Sequence, residues 1–360
     1  MDFTVPEAQR DLAALTRRIA ADWSEKNPRP GDSGFHRDLW RTLARSGVLD
    51  AALPESVGGG GLGVTAHAAV LTELGRAVAP APYLDTVLVG AETIAEYGTP
   101  EQIERWLVPV LRGDDTVAVV LGDEHSGFTA KNSADGWRLN GAQTAVSSAA
   151  FADTVLIEAS TPEGPALFLL PRDAQGLTIT RQHVVNGSDA ALVEAAAAPL
   201  PREARLAGDD APARARRLAT IGWCALQAGI TERALELTAD YARTREQFGK
   251  QIGSFQAVRQ RLADAYIDVE AIRLTVLEAA WREAEGLDAA AEIATAKFWA
   301  ADAGHRVAHT AVHVHGGVGI DTDHPTHRYF VAAKRAEFAL GGATAHLRAL
   351  GATLAGRNPA

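Results

Sequence analysis

The apolar residues of this chain change their period twice, which restricts it to folds that interpose a sheet between helical segments. From Pro6 to Ala21, Leu12, Leu15 and Ile19 recur at helical spacing, and Phe35 to Ser46 repeats the pattern with Leu39, Leu43 and Ala44. Val64 to Val78 continues it, and Thr99-Pro100-Glu101 opens a helix toward Leu111, with Pro at the first turn. The period then shortens. Val117 to Leu121, Trp137 to Asn140, Thr154 to Ala159, Leu167 to Leu170 and Leu177 to Thr180 are short apolar runs between turn residues such as Asp135-Gly136 and Pro162 to Pro165. Runs about ten residues apart predict an antiparallel barrel or sandwich. Ala195 to Pro199 is low in complexity and reads as an edge or a linker.

Helical spacing returns from Ala211. Val258, Leu262, Ala265, Val269, Ile272 and Val276 form one stripe on a helix from Ser254 to Glu285. Asp288 stands where it can cap the next helix, which stops at Gly316-Gly317, and Tyr329 to Leu354 reads as the last. Long stripes on several helices predict a bundle. The expected architecture is α+β and multidomain: an N-terminal α-helical domain (1–117), a middle β domain (118–205) and a C-terminal four-helix bundle (206–360). Pro54 to Gly63, with its run SVGGGGLG, lacks the Lys and Ser/Thr of a phosphate-binding loop and reads as a flexible connection.

The chain of 360 residues is 47% hydrophobic with a net charge of -10. That balance argues against nucleic acid or an anionic membrane as the main partner, while leaving room for a local basic pocket. No apolar run is long enough to span a bilayer, and the acidic, amphipathic N-terminus does not read as a signal peptide. Cys224 is the only cysteine, so no intrachain disulfide can form; a reducing cytoplasm is expected, with Cys224 in the core.

Two clusters carry candidate chemistry. Tyr241 to Gln256 reads YARTREQFGKQIGSFQ, a helix end, a break and a helix start. Gly249 can take the left-handed geometry that ends a helix, and Ser254 suits an N-cap. Arg245 beside Phe248 suits a phosphate and a flat ring system; a plain helix hairpin with a solvated arginine fits the same residues. His305, His309 and His313 recur at i, i+4 and i+8, with His315 close by. They span about 12 Å, so one ion could hold only two of them, and no Cys or HExxH order accompanies them. A subunit interface is the expectation there, not a metal.

With MDFTVPEAQRDL, LWRTLARSGVLDAALPESVGGGGLG and LTELGRAVAPAPYLDT near the start and AVHVHGGVGIDTDHPTHRYFVAAKR near the end, the REQFGKQIGSFQ segment makes the chain resemble the acyl-CoA dehydrogenases over nearly its whole length. The resemblance implies their fold (helices, β domain, four-helix bundle) in a dimer of dimers, with FAD as cofactor. It also implies an acyl-CoA substrate, desaturation between the α and β carbons, and electron-transfer flavoprotein as acceptor. In that chemistry a carboxylate takes the α proton, hydrogen bonds hold the thioester carbonyl, and flavin accepts the β hydride.

Departures from the family pattern are selective. The usual base positions fall on Leu340 and on Ala219, with Arg216 and Arg217 just before the latter. Glu337 is the nearest alternative; Asp321 and Asp323 read as surface carboxylates. In LGDEHSGFTAKNSADGW only Ser126-Gly127 resembles the flavin-lining segment. Ala145-Val146-Ser147 stands where Trp-Ile-Thr is usual, so an aromatic wall is lost while Ser147 keeps a hydroxyl for flavin. The residues that the family donates across a subunit boundary are present: Arg245, Gln247, Phe248, Phe255, Gln256, Gly316 and Gly317, with His313 in place of a Gln. This division resembles the base-less chain of the two-chain, actinobacterial-type enzymes, which pairs with a catalytic homologue in a heterotetramer. Such members often act on bulky ring-bearing thioesters such as steroid side chains. A self-sufficient homo-oligomer with a displaced base, another flavin reaction on this fold, and a non-enzymatic relic that binds CoA or a partner remain alternatives.

Overall fold

The computed structural model describes residues 5–27, 35–122 and 127–357; Ser126 lies outside them. Six helices come first: α1 (Glu7–Lys26), α2 (Arg37–Arg45), α3 (Gly63–Ala77), α4 (Glu92–Tyr97), α5 (Pro100–Gln102) and α6 (Val108–Leu111). π-helical stretches at Leu84–Ala91 and Ile103–Leu107 adjoin the short ones. Seven strands follow: β1 (Val117–Val120), β2 (Gly127–Ser133), β3 (Gly136–Ser147), β4 (Thr154–Thr161), β5 (Gly164–Pro171), β6 (Leu177–His183) and β7 (Asp189–Leu200). The remainder is α7 (Ala211–Thr244), the small hairpin β8 (Glu246–Gln247) and β9 (Lys250–Gln251), α8 (Gln256–Ala284), α9 (Ala290–His315), α10 (Pro325–Phe338) and α11 (Ala343–Arg357). These elements fall into two compact units, one of Met1–Arg29, Val64–Ala79 and Thr220–Ala360, the other of Pro30–Gly63 and Pro80–Ala219. No helix among the described residues is long and apolar enough to cross a membrane.

The helical unit is packed largely with alanine. Ile230, Ala234, Ala308, Ala311, Tyr329, Ala332 and Ala333 form one buried cluster on α7, α9 and α10. Small side chains let helix backbones approach, and at the crossing of α3 and α7 they have almost no clearance: a Cβ added at Gly229 would lie 1.9 Å from the Thr72 carbonyl oxygen. Lys297 on α9 is fully buried. Its Nζ donates to the Ala336 and Glu337 carbonyls at 3.2 and 3.1 Å, satisfying acceptors that the end of α10 leaves open. Burial lowers the basicity of its ammonium.

Three local readings are corrected here. The expected single helix from Tyr329 to Leu354 is two, because Leu340 (φ 56) and Gly341 (φ 98) turn the chain between α10 and α11. His346 closes that corner on the Leu340 carbonyl, 2.9 Å away. Ser254 does not cap α8: its hydroxyl donates to the Gln251 carbonyl, and Phe255 stands at the cap position with no side-chain acceptor. Asp288 accepts from the Ala290 amide at 3.1 Å, while Ala289 occupies the cap of α9.

The other unit holds a sheet in the order β1-β4-β2-β3-β7-β6, with β5 on β4. β4 runs parallel to β1 and β2; the other pairs are antiparallel. Its core includes Phe128, Trp137, Leu139, Ile157, Phe168, Val193 and Leu200, with Trp137 edge-on to Phe168 at 5.4 Å. Ala195 to Pro199 is no linker; it is the end of β7, paired with β3 along its length, while the β6 ladder stops at Ala195, so the stretch beyond it runs as an edge on that side. An alanine run shows no apolar contrast to read, although burial still alternates along it. The glycine-rich run is no loose connection either. The amides of Gly60, Gly61 and Gly63 donate to Asp50, Leu53 and Ala52 carbonyls, and a Cβ at Gly59 would meet the Leu53 carbonyl at 2.2 Å.

Candidate functional site

In the helical unit α7 ends at Thr244 and the chain turns through β8 and β9. Phe248 (φ 54) and Gly249 (φ 76) form the two-residue turn, whose paired left-handed residues match a hairpin of this length. Glycine takes that geometry readily; phenylalanine does so against a steric cost of about 1 kcal/mol or more. Phe248 is also 92% exposed. A bare aromatic ring on strained backbone is a double expense for the free chain, and such outliers cluster where ligands or partners bind. Phe255 meets it edge-on at 6.2 Å, and the Lys250 ammonium sits 4.5 Å above the Phe255 ring. Arg245, Gln247 and Gln256 are exposed around them. The Gln247 amide donates to the Glu246 carbonyl at 2.7 Å.

The second signature ends beside the first. α9 stops at His315, and Gly316 has φ 66 and ψ -144, a region essentially reserved for glycine. No atom lies within 4 Å of a Cβ built at Gly316 or Gly317, so that backbone faces open space. His313 is exposed on the last turn. Beneath, Ala242, Ile252 and Val314 form one small core with Phe255 packed against it, and the Tyr241 and His315 rings stack at 4.3 Å. The two signatures thus share a footing, although about sixty residues separate them.

Ser147 belongs to the sheet unit, at the end of β3, where the register against β7 shifts between Gln143 and Val146. Ala145 bulges there with φ 54. The Gln182 side-chain oxygen accepts from the Ala145 amide at 2.8 Å and the Thr144 hydroxyl at 3.0 Å. Val146 is buried and Ser147 half-buried. Ser148 (φ 63) donates its hydroxyl to Asp85 at 2.8 Å and its amide to the Asp189 carbonyl at 2.9 Å. Polar groups along this stretch are therefore bonded within the unit.

The two positions at which the resemblance places a base hold no carboxylate. Leu340 occupies the corner between α10 and α11, and Ala219 is buried in α7. Arg216 is engaged with Glu158 and the Gly122 carbonyl. Glu337 is ion-paired with Lys334 at 2.6 Å and lies 3.2 Å from His305 Nδ1. A carboxylate balanced in this way must leave its ammonium before it can serve as a free base. Asp321 accepts from the Asp323 amide in an exposed loop. The His305 and His309 rings lie 4.2 Å apart, tilted by 31°, and both border a groove of about 820 Å3 between α8 and α9 with Arg261, Asp264 and Arg306. Cys224 is buried, and burial pushes its thiol up to about 12, so it is no nucleophile near neutral pH.

Sequence reasoning missed Gln182, Ser148 with Asp85, and the joining role of Tyr241 and His315. All depend on register or ring geometry between distant segments, for which no motif exists.

The chain matches the family descriptions "Acyl-CoA dehydrogenase, N-terminal domain" over residues 6–114 and "Acyl-CoA dehydrogenase, C-terminal domain" over 217–355. It is 46% identical over 369 residues to Acyl-CoA dehydrogenase FadE27 of Mycobacterium tuberculosis, covering 99% of each. Among solved structures it resembles a chain of the ChsE4-ChsE5 complex from the same organism (TM-score 0.95, 45% identity, 100% of both chains). It also resembles a chain of the Tcur3481-Tcur3483 steroid ACAD G363A variant (TM-score 0.91, 37% identity, 97% of this chain and 98% of that one). The chain therefore belongs to the acyl-CoA dehydrogenase family, and it has that family's fold. Membership makes FAD its cofactor and oxidoreductase its class. Arg245, the open Gly316 backbone and the bare Phe248 ring fit a flavin nucleotide; the β3 end, lacking an aromatic wall, offers only Ser147.

Proposed function

We propose that this chain is the non-catalytic subunit of a heteromeric acyl-CoA dehydrogenase and completes the FAD site of a catalytic homologue. The observation that carries the reading is the asymmetry between the two candidate surfaces. The turn at Phe248 is built, strained and exposed, while Leu340 and Ala219 stand where a base is needed. FAD, when bound, supplies the acceptor for the β hydride. In this chain Arg245 offers a fixed positive charge to phosphate, Gly316 and Gly317 offer approachable backbone, and Phe248 and Phe255 offer apolar faces. The proton-abstracting carboxylate, the carbonyl-holding donors and the flavin wall then come from the partner.

The two solved structures described above carry two-component names, and one is named as a steroid enzyme. On that likeness we assign this chain to a hetero-oligomer acting on a ring-bearing acyl-CoA thioester; the family resemblance adds a heterotetramer and electron-transfer flavoprotein as acceptor to the proposal, and the lone cysteine adds the cytoplasm as location. A self-sufficient enzyme would have to draw Glu337 out of its pair with Lys334, which counts against that alternative.

The test is the visible spectrum and dye-linked acyl-CoA oxidation of the purified chain, alone and co-expressed with its catalytic homologue. Flavin and activity confined to the mixed sample are expected. A yellow, active lone chain would overturn the proposal, and Glu337→Gln would then locate its base.

A further inference from the structure

His315 is the buried ring on which the two exposed turns meet. It is 5% exposed and touches three elements. Its face stacks on Tyr241, at the end of α7, with the ring planes 22° apart. Its Nδ1 lies 2.8 Å from the Ala311 carbonyl one turn back on α9, and its Nε2 lies 3.3 Å from the Thr326 hydroxyl on α10. A carbonyl can only accept, so Nδ1 carries the proton and neutral Nε2 accepts from Thr326. The next residue is Gly316, where the chain leaves α9.

We infer that His315 is a positioning residue: its neutral ring, fixed in one tautomer by Ala311 and Thr326 and stacked on Tyr241, holds the Gly316–Gly317 turn and the Arg245–Phe255 turn in one arrangement. The inference deepens the proposed function, since it rests on those turns being the donated flavin surface.

The arrangement responds to acid. The titratable side chains facing His315 are Tyr241 from α7 and His324 from the loop before α10, the latter ring 5.2 Å away. Burial lowers the basicity of His315 and His324 adds to the effect, against the opposing pull of the Ala311 carbonyl. Because the folded ring is less basic than the ordinary 6.5, its stabilisation is fully present above 6.5 and is lost as pH falls from 6.5 toward the folded value. Protonation gives Nε2 a hydrogen where it had accepted one, so the Thr326 hydroxyl must turn away and a cation lies against His324.

Hydrogen exchange of the full chain, corrected for the intrinsic rate, tests this without flavin. In the wild type, residues 244–256 and 313–320 should lose protection together, by roughly fivefold between about pH 7 and pH 5.5. His315→Ala should expose both segments at every pH. His315→Phe keeps the stack but can neither titrate nor accept from the buried Thr326 hydroxyl, so it should lose part of the protection at neutral pH, less than His315→Ala does, and abolish the pH response. Tyr241→Leu removes the stack from the other side and should loosen both segments without touching α9. Loosening confined to 313–320, or a pH response that persists in His315→Phe, would overturn the inference. A wild-type mixed complex that takes up no flavin would sink the functional reading instead, leaving the exchange result untouched.

Discussion

The turn at Phe248 and the end of β3 are both strained, yet they spend their strain differently. Each contains non-glycine residues at left-handed φ: Phe248 in one, Ala145 and Ser148 in the other. At β3 the distortion is locked from within. Gln182 holds the Ala145 amide, and Asp85 and Asp189 hold Ser148. At Phe248 the ring is exposed but for its edge contact with Phe255, and the left-handed backbone is closed by the β8–β9 pairing rather than by buried polar side chains. The two-residue turn itself requires left-handed backbone, but not a bare aromatic ring on it; that choice of residue is what a ligand or neighbour outside the chain would explain. That contrast favours a subunit that gives to a neighbour's site over one that serves its own.

Substitutions can break or sharpen the contrast. The largest effect on stability is expected at Ser148→Ala, which takes a hydrogen bond from buried Asp85 and should cost about 2 kcal/mol in urea unfolding. Flavin content of the mixed complex should not change; a loss there would mean that the β3 end contacts the cofactor. Phe248→Gly should do the reverse, raising the stability of the lone chain by about 1 kcal/mol as it relieves left-handed strain, while flavin affinity in the mixed complex falls. Stabilisation without flavin loss would make the turn an ordinary surface feature. Gln182→Ala should cost about 1 kcal/mol and leave flavin untouched. The smallest effect is expected at Glu337→Gln, with less than about 1 kcal/mol lost from the pair with Lys334 and turnover of the mixed complex unchanged. A collapse of turnover would identify Glu337 as the base.

The helical and strand-bearing segments were legible in the sequence wherever apolar contrast was strong, as in the stripe from Val258 to Val276. They were not where contrast vanished: the alanines at the end of β7 hid a strand paired with β3, and the run through Leu340 hid a helix break marked only by Gly341-Gly342. The site was legible as two signatures, Arg245 to Gln256 and His313 to Gly317. That they rest on one ring stack was not, because Tyr241 and His315 are brought together by the packing of α7 against α9. The glycine-rich run misled for a similar reason: glycine marks either freedom or close approach, and only the carbonyls around Gly59 and Gly60 decide which.

The most direct test of the central claim is the flavin content of the co-purified complex carrying Arg245→Ala in this chain alone. The account predicts that the wild-type complex binds FAD and that the variant loses most of it, although the catalytic partner is untouched and the chains still associate. Full flavin retention in the variant, with the wild-type chain binding FAD by itself, would contradict it.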